Sequence, residues 1–519
     1  MSTLLIQAMQ DPRLYPHAVH AVRVLETHIS WVILTGVYAY KIKKSVNLGF
    51  LDFSTLEQRR YFCDEELRLN RRFAPQLYLD VVAIRGTPQQ PRFDGAGTII
   101  EYAVKMLEFD QLQRVDALLA NNELGIDSMD QFATDLAALH AHAPQAQPDT
   151  AFGTAEAVWA PMAENFAQIR ASVLSLDMAA TLAQLEQWSR AEFARQTEIL
   201  TKRRRAGWVR ECHGDLHTRN LVRIDGRITA FDCLEFNANL RWIDVISEVA
   251  FLLMDLEACD RRAFAWRFLN RYLEHSGDYA GVQLLPLYLT YRALVRAKVA
   301  CLQTLPESHA EFQRYLALAQ RYTTPAPPFL MIMHGVSGAG KSTVSRQLAD
   351  QLGLIRVRSD VERKRMFALA PDAASGARLD SGIYTTAVTD DVYRHLAKLA
   401  ELLLSAGYST VLDATFLQRA QRDLLRALAQ RLQVPFVILR CHAPRSFLEH
   451  AITQRARAGG DASEADLQVL QRQIATQQPL DGTEIAATVE VDVSADVDTG
   501  IVAQQLRRHV AKPGSPGIQ

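Results

Sequence analysis

The sequence predicts an α+β, two-lobed domain followed by an α/β domain with a five-stranded parallel sheet, and three observations support this fold class. In the first part of the chain, strand-like runs come before helical runs. In the second part, apolar strand-like runs alternate with helical runs, which is typical of βαβ units. Between the two parts lies a proline-rich segment.

That segment reads TTPAPP, and its prolines hold the chain extended and prevent a helix from continuing. We therefore expect a first domain at 1–322, a linker at 323–328 and a second domain at 329–510. The last residues, AKPGSPGIQ, predict a disordered tail at 511–519.

The strands of the first domain are predicted from β-branched and aromatic runs. Two of these runs, HISWVILTG and VYAYKIKK, meet at Gly36 and indicate a hairpin. A helical stretch at 54–73 follows, and then two further strands, LYLDVVAIRG and TIIEYAVKMLEF. Helical patterns at 127–206 and 240–320 enclose short strands at 208–232, which completes the two-lobed outline.

The second domain is predicted as a doubly wound parallel sheet. Its strands are expected at Phe329–His334, Leu354–Arg358, Ser409–Leu412, Pro435–Cys441 and Thr488–Val493.

A phosphate-binding loop follows the first of these strands. The segment GVSGAGKS matches G-x-x-x-x-G-K-[ST] in full, and a helical segment comes directly after it. In such a loop, backbone N–H groups surround phosphate oxygens, Lys341 neutralises phosphate charge and the Ser342 hydroxyl ligates Mg²⁺. The residues expected to hold the nucleotide are Gly335, Val336, Ser337, Gly338, Ala339, Gly340, Lys341, Ser342 and Thr343.

Two carboxylates stand at the ends of later strands of this sheet, where open α/β sheets bind ligands. Asp360 follows RVRS, and Asp413 follows STVL. Each can hold Mg²⁺ through water or accept a hydroxyl proton, although a helix N-cap is the alternative role. Downstream, Arg455 and Arg457 precede a glycine pair and indicate either a mobile lid over the transferring phosphate or a solvated basic helix face.

The second half resembles the small P-loop kinases with an AAA-type ATP-binding core, such as gluconate kinase, the kinase domain of polynucleotide kinase and the zeta-toxin group. The resemblance spans about 328–500 and rests on GVSGAGKS, with support from SDVERKR and LDAT. It implies that Asp360 is the general base beside the acceptor hydroxyl and that Arg363 lies near the acceptor.

A catalytic loop is indicated in the first domain by ECHGDLHTRN. Asp215 and Asn220 are five residues apart, as in H-R-D-x-x-x-x-N. The Asp225-Gly226 pair predicts a tight hairpin that returns Asp232 towards Asn220. Asn220 and Asp232 can then supply oxygen ligands to Mg²⁺. Asp215 is left to accept the proton of a substrate hydroxyl, and His213 is expected to be structural.

The first half resembles the aminoglycoside phosphotransferase and choline kinase group, which shares the protein-kinase fold, over about residues 25–320. HGDLHTRN is the specific part of this resemblance. It implies a strand lysine paired with a helix glutamate, for which we favour Lys41 over Lys43 and Glu66 over Glu65. It also implies that Met106 lies beside adenine at the hinge between the lobes.

Two departures from that family stand out. The metal region reads FDCLEFN, so Glu235 is a candidate for a second metal carboxylate or a substrate contact. THISWVILTG contains only Gly36, so no clear glycine-rich phosphate loop precedes the lysine strand.

These patterns predict an ATP- and Mg²⁺-dependent phosphotransferase with two nucleotide-binding domains and a small-molecule hydroxyl, such as that of a sugar or aminosugar, as acceptor. The alternatives are an ATP-hydrolysing switch whose first domain senses a ligand, and a polynucleotide or nucleotide-sugar kinase. A net charge of -1 argues against a nucleic-acid partner. The sequence contains no run of about 18 apolar residues and no signal-peptide pattern, so we expect a cytoplasmic protein without a membrane partner.

Overall fold

The computed structural model describes residues 2–47, 49, 51–172, 176–302, 308–371, 373, 382–458 and 462–510. The tail predicted to be disordered, 511–519, lies outside the described residues.

By their internal contacts the residues form two compact units. The first unit comprises Met1–Phe132, Leu139–Asp255 and Tyr291–Phe312. The second unit comprises Ala133–Ala138, Leu256–Thr290 and Gln313–Gln519. The domain limits expected from the linker, 1–322 and 329–510, stay predictions.

The strands of the first unit form an antiparallel sheet and two short pairs. They are β1 (Arg23–Glu26), β2 (Ser30–Leu34), β3 (Tyr38–Lys43), β4 (Tyr78–Thr87), β5 (Gln90–Arg92), β6 (Ile99–Leu107), β7 (Val209–Glu211), β8 (Leu221–Ile224), β9 (Arg227–Ala230) and β10 (Trp242–Asp244). The large sheet has the order β1-β2-β3-β6-β4-β5, while β7 pairs with β10 and β8 with β9.

Among the helices in the first 323 residues, the one at 262–276 belongs to the second unit, and those at 128–142, 245–258, 285–302 and 308–323 are divided between the two units. The helices of this part of the chain are α1 (Ser2–Ala8), α2 (Leu56–Asn70), α3 (Val115–Ala120), α4 (Ser128–His142), α5 (Ala155–Ser172), α6 (Leu176–Arg205), α7 (Ala238–Arg241), α8 (Val245–Ala258), α9 (Arg262–Ser276), α10 (Leu285–Leu302) and α11 (Ser308–Thr323).

Local chemistry explains the elements that carry the first candidate site. The β2–β3 hairpin turns at Gly36, whose φ of 89° suits glycine. Helix α2 begins at a capping box in which Thr55 and Gln58 bond each other's backbone N–H groups. The β8–β9 hairpin turns at Asp225 and Gly226, both with positive φ, as the Asp-Gly pair predicts.

The second unit is a parallel sheet covered by helices. Its strands are β11 (Leu330–His334), β12 (Ile355–Arg358), β13 (Thr410–Asp413), β14 (Phe436–His442) and β15 (Thr488–Asp492). Its later helices are α12 (Lys341–Leu352), α13 (Ser359–Met366), α14 (Thr386–Ser405), α15 (Arg419–Arg431), α16 (Arg445–Ala458), α17 (Leu467–Thr476), α18 (Gly482–Ala486) and α19 (Thr499–Val510).

The strand order β12-β13-β11-β14-β15 places β11, which precedes the phosphate loop, in the centre of the sheet. All four pairings are parallel, and every residue of β11 is buried. The predicted fold class is therefore confirmed: an α+β part with an antiparallel sheet is followed by an α/β part with a five-stranded parallel sheet. None of the helices in the described ranges combines the length and apolar character that crossing a bilayer requires.

Candidate functional site

The predicted catalytic loop joins β7 to β8 in the first unit. The Asp215 side chain is 38% exposed, so a substrate can reach its carboxylate. Asn220 donates from its amide nitrogen to the Asp215 carboxylate and to the Asp215 carbonyl, both at 3.0 Å. The two residues that the sequence places five apart thus lie in contact, and the asparagine orients the aspartate.

Buried polar groups hold this loop in place. His213 donates from Nε2 to the Phe231 carbonyl oxygen at 2.9 Å, and burial lowers the pKa of its ring. The Glu248 carboxylate accepts from the Gly214 N–H at 2.9 Å and lies 3.2 Å from His140 Nε2. Because the buried His213 ring donates its proton to a carbonyl oxygen, its role is to hold the loop in place rather than to take part in proton transfer.

Asp215 is held in its charged form. Burial of the loop opposes the charge, but the His217 ring, 3.4 Å from the carboxylate, and the Arg296 guanidinium outweigh it and keep the pKa of Asp215 below its ordinary value. A carboxylate that stays ionised near neutral pH can orient an attacking hydroxyl and accept its proton in the transition state.

A buried charge network lies on β3 and α2. Lys41 and Lys43 point to one face of the strand, and Glu66 accepts from both Nζ atoms at 2.7 Å. Lys41 also lies 2.5 Å from the Asp232 carboxylate, and Lys43 contacts Glu235. Burial opposes the Glu66 charge, yet the two lysines lower the pKa of Glu66 to about 2. The alternative glutamate, Glu65, pairs instead with Arg68 and Arg241.

Glu235 has a different environment from the one considered for it in the sequence. Its carboxylate is buried against Lys43, and its carbonyl oxygen accepts from Arg241 at 3.0 Å. Glu235 therefore anchors the FDCLEF segment to β3. The pairing of Lys43 with Glu235 was missed because the two residues are 192 positions apart and share no local motif.

Replacing Lys43 with methionine is expected to lower the free energy of unfolding by about 3–5 kcal/mol, because it leaves a buried carboxylate without its partner. Urea unfolding of the full chain measures this. Lys44→Met is the matched control, since Lys44 pairs with the largely exposed Glu26 and should change stability by about 1 kcal/mol or less. Equal losses in the two variants would contradict the assigned role of Lys43.

The metal-binding residues predicted in this unit offer oxygen atoms, which suit Mg²⁺. Asp232 is 44% exposed at its side chain and takes a positive φ of 63°, and its N–H donates to the Tyr78 hydroxyl at 3.0 Å. Asn220 is held by its amide nitrogen, which leaves its carbonyl oxygen as the chemically suitable ligand atom. The donor set fits the ion, with Asp232 and Asn220 as the residues that would hold it.

The nucleotide side of this unit departs from a glycine-rich loop. The turn between β1 and β2 consists of Thr27, His28 and Ile29, and the Thr27 N–H and hydroxyl both donate to the Ser30 carbonyl oxygen. Met106 is buried on β6 opposite Ala39 of β3, one residue before the strand ends. Because the β1–β2 turn uses Thr27 in hydrogen bonds to Ser30, it offers fewer backbone donors to a phosphate.

The predicted phosphate loop of the second unit lies between β11 and α12. Glycine is required at two of its positions. A Cβ at Gly335 would lie 2.3 Å from the Cys441 carbonyl oxygen, and one at Gly338 would lie 2.7 Å from the Leu448 carbonyl oxygen. The residues of the loop and of the first turn of the helix are Gly335, Val336, Ser337, Gly338, Ala339, Gly340, Lys341, Ser342 and Thr343.

Lys341 folds back over this loop. Its Nζ donates to the Val336 carbonyl oxygen at 2.8 Å. Burial lowers the pKa of Lys341, while the nearby Asp413 carboxylate opposes that shift. A phosphate bound in this loop would bring negative charge close to the buried ammonium group and would stabilise its protonated form.

Asp413 ends β13 beside the first turn of α12. Its carboxylate accepts from the Ser345 hydroxyl at 3.1 Å and is buried. Asp413 and the Ser342 hydroxyl supply oxygen atoms at the carboxyl edge of the sheet, a donor set that fits Mg²⁺ with water completing the coordination. These are the residues that would hold the ion in this unit.

The predicted acceptor residues lie on α13. Asp360 is in the first turn of that helix and is partly exposed. Arg363 donates from Nη1 to the Ile383 carbonyl oxygen at 2.9 Å and to the Thr389 hydroxyl at 3.3 Å. Its guanidinium also lies 5.2 Å from the ring centre of Tyr384.

The predicted lid arginines lie at the end of α16. Arg455 donates to the Ala465 carbonyl oxygen at 2.6 Å, and Arg457 is exposed. Residues 459–461 of the lid segment lie outside the described residues. The sequence did not indicate Gln473 of α17, whose side-chain oxygen accepts from the Ser337 N–H at 2.7 Å, because one glutamine in a polar helix carries no signal.

Comparisons with known proteins give two kinds of result. Residues 330–480 match the family model described as AAA domain. Uncharacterized protein Rv2004c of Mycobacterium tuberculosis (strain H37Rv) is 33% identical over 444 residues, which cover 85% of this chain and 87% of the relative. Uncharacterized protein Mb2027c of Mycobacterium bovis gives the same values.

Solved structures resemble parts of this chain. A choline kinase from Cryptosporidium parvum Iowa II covers 62% of this chain and 94% of its own, with 11% identity and a TM-score of 0.38. A sugar kinase from Janibacter sp. HTCC2649 covers 36% of this chain and 96% of its own, with 23% identity and a TM-score of 0.28.

Proposed function

We propose that this chain transfers the γ-phosphoryl group of ATP to the hydroxyl of a small molecule. The chain belongs to the same family as the mycobacterial proteins Rv2004c and Mb2027c. The observation that carries this proposal is the arrangement around the P-loop. Lys341 and Ser342 open α12 below the glycine turn, and Asp413 ends the neighbouring strand. The groups that would bind phosphate and Mg²⁺ therefore lie together at one edge of the sheet.

The catalytic loop of the first unit supports a second site with the same chemistry. The acceptor oxygen would attack the γ-phosphorus while the bond to the bridging oxygen of ADP breaks, and the hydroxyl proton would pass to the Asp215 carboxylate. Asn220 keeps that carboxylate in place. Mg²⁺ supplies charge neutralisation for the phosphates when bound, and catalysis is otherwise a matter of positioning.

The acceptor is proposed to be a small molecule rather than a nucleic acid. A polynucleotide acceptor needs a positive field along its backbone, and this chain has a net charge of -1. The basic run at 203–205 does not supply such a surface, because Arg203 is buried in a bidentate pair with Asp244. Arg204 is likewise bonded to backbone carbonyl groups, Phe152 among them.

The experiment that tests this proposal follows the label of γ-labelled ATP. The purified full chain is incubated with labelled ATP, Mg²⁺ and a fractionated extract of small metabolites, beside the double variant Asp215→Asn/Lys341→Ala. We expect label in a metabolite with the wild-type chain and none with the double variant. Equal transfer by both proteins would reject both sites.

One observation favours a second candidate, an ATP-hydrolysing switch whose first unit senses a ligand. The β1–β2 turn contains no glycine and bonds to itself, which weakens the case for nucleotide turnover in that unit. Under this alternative, label would be released only as free phosphate, the release would be lost in Lys341→Ala, and Asp215→Asn would leave it unchanged.

A further inference from the structure

Helix α9 is bound closely to the P-loop part of the second unit, although 64 residues of chain separate its last residue, Ser276, from the first residue of α12. Asn270 donates to the Leu354 carbonyl oxygen at 2.9 Å and accepts from the Arg356 N–H at 2.7 Å. Arg267 pairs with Asp350 of α12 at 2.8 Å. The helix is therefore fixed to both β12 and α12.

Glu274, in the last turn of α9, holds two arginines of β12. Its carboxylate accepts from Arg356 at 3.2 Å and from Arg358 at 2.9 Å, and its side chain is only 4% exposed. Burial opposes its charge, but the guanidinium groups of Arg356 and Arg358, together with that of Arg271, outweigh it and lower the pKa of Glu274 to about 2. Glu274 is thus a buried negative charge.

The same two arginines reach the phosphate and metal side of the unit. Arg356 donates from Nη1 to the Ser342 carbonyl oxygen at 3.0 Å, and that nitrogen lies 3.9 Å from the Asp413 carboxylate. Arg358 stands opposite Asp413 in the parallel register, with its Nε 3.8 Å from the same oxygen. Both guanidinium groups therefore lie between Glu274 and Asp413.

We propose that Glu274 is a positioning residue of the P-loop site, which keeps the charge of Asp413 available to Mg²⁺ by neutralising Arg356 and Arg358. This inference rests on the proposed function of that site. With Glu274 charged, Arg356 and Arg358 lie between two carboxylates, although Arg271 of the same helix also pairs with Glu274 at 3.5 Å. Without that charge, the guanidinium groups of Arg356 and Arg358 are opposed by Asp413 alone, and the excess positive charge beside Asp413 repels a divalent cation in a region of low dielectric constant.

The test measures Mg²⁺-dependent binding of a fluorescent ATP analogue to the full chain. The part of the binding that Lys341→Ala removes is assigned to the P-loop site. In Glu274→Gln, the Mg²⁺ concentration needed for half-maximal binding at this site is expected to rise about 10- to 100-fold, as is common when a residue behind a metal ligand is changed.

Glu257→Gln is the matched control, because the side chain of Glu257 is also only 7% exposed in the second unit but pairs with Arg321 at 3.0 Å. It should keep the wild-type Mg²⁺ dependence. Glu274→Asp retains the charge and should restore most of the affinity. A purely structural role would instead lower thermal stability in both glutamine variants and leave the Mg²⁺ dependence of each unchanged, which would overturn the proposal.

A compensating variant tests the charge balance directly. Arg358→Gln removes one guanidinium, so Glu274→Gln/Arg358→Gln should recover the Mg²⁺ dependence that Glu274→Gln loses. Arg358→Gln alone should lower the Mg²⁺ concentration needed for half-maximal binding. This single variant tests the proposal even where Glu274→Gln does not fold. A raised requirement in Arg358→Gln, or no recovery in the double variant, would reject the inference. If Lys341→Ala removes no nucleotide binding, the proposed function of the site fails first, and the inference falls with it.

Discussion

Replacing Lys341 with alanine is expected to lower ATP turnover at the P-loop site by at least about 100-fold. The ammonium group is buried and donates to a carbonyl oxygen of the loop, that of Val336. It is therefore positioned to meet the charge that develops on the transferring phosphoryl group.

The measurement is release or transfer of label from γ-labelled ATP by the full chain. Lys398→Ala, at an exposed position of α14, is the control and should retain full activity with unchanged folding. Circular dichroism verifies that both variants fold. Wild-type turnover in Lys341→Ala would remove the P-loop from the mechanism.

Asp215→Asn is expected to slow phosphoryl transfer at the site of the first unit by about 10²- to 10⁴-fold, with little change in ATP binding. The amide keeps the shape of the carboxylate but cannot accept the hydroxyl proton. The assay uses a Lys341→Ala background, so that turnover by the P-loop site does not contribute to the signal.

Asp225→Asn is the matched control for this substitution. It makes the same change on an exposed hairpin turn, where asparagine tolerates the positive φ of 49°. It should leave transfer unchanged. If Asp215→Asn and Asp225→Asn behave alike, Asp215 is not the proton acceptor.

The pH dependence of this site follows from the same carboxylate. Because the folded pKa of Asp215 lies below its ordinary value, the charged form persists as the pH falls to about 4, the ordinary range of an aspartate. Transfer by the first unit should therefore show no loss from this group between about pH 7 and pH 5. A loss centred near pH 6 would assign the proton to a histidine instead.

Local patterns predicted most of the elements of both units. The five strands of the parallel sheet lie within one residue of their predicted limits, and the apolar runs of β11 and β13 are buried on both faces. Strand β1 and helix α1 were missed, because RVLE and the first residues of the chain carry no clear period.

Motifs also predicted contacts between residues that are close in sequence. Asp215 and Asn220 are in contact because a short loop joins them, and the Asp225-Gly226 turn follows from backbone sterics alone. The choice between Lys41 and Lys43 could not be made in this way. Both lysines contact Glu66, and only the different partners on the far side, Asp232 and Glu235, distinguish them.

The sequence by itself determined the fold class and indicated the candidate phosphate loop and the candidate catalytic loop, since each depends on period, turn chemistry or spacing within a few residues. Only the tertiary structure decided that Glu235 is an anchor for Lys43 and that Glu274 lies behind the P-loop site. The physical reason is distance along the chain. Glu274 and Arg356 are 82 positions apart, and a single charged residue acquires its partner only when the packing of helices and strands brings the two together.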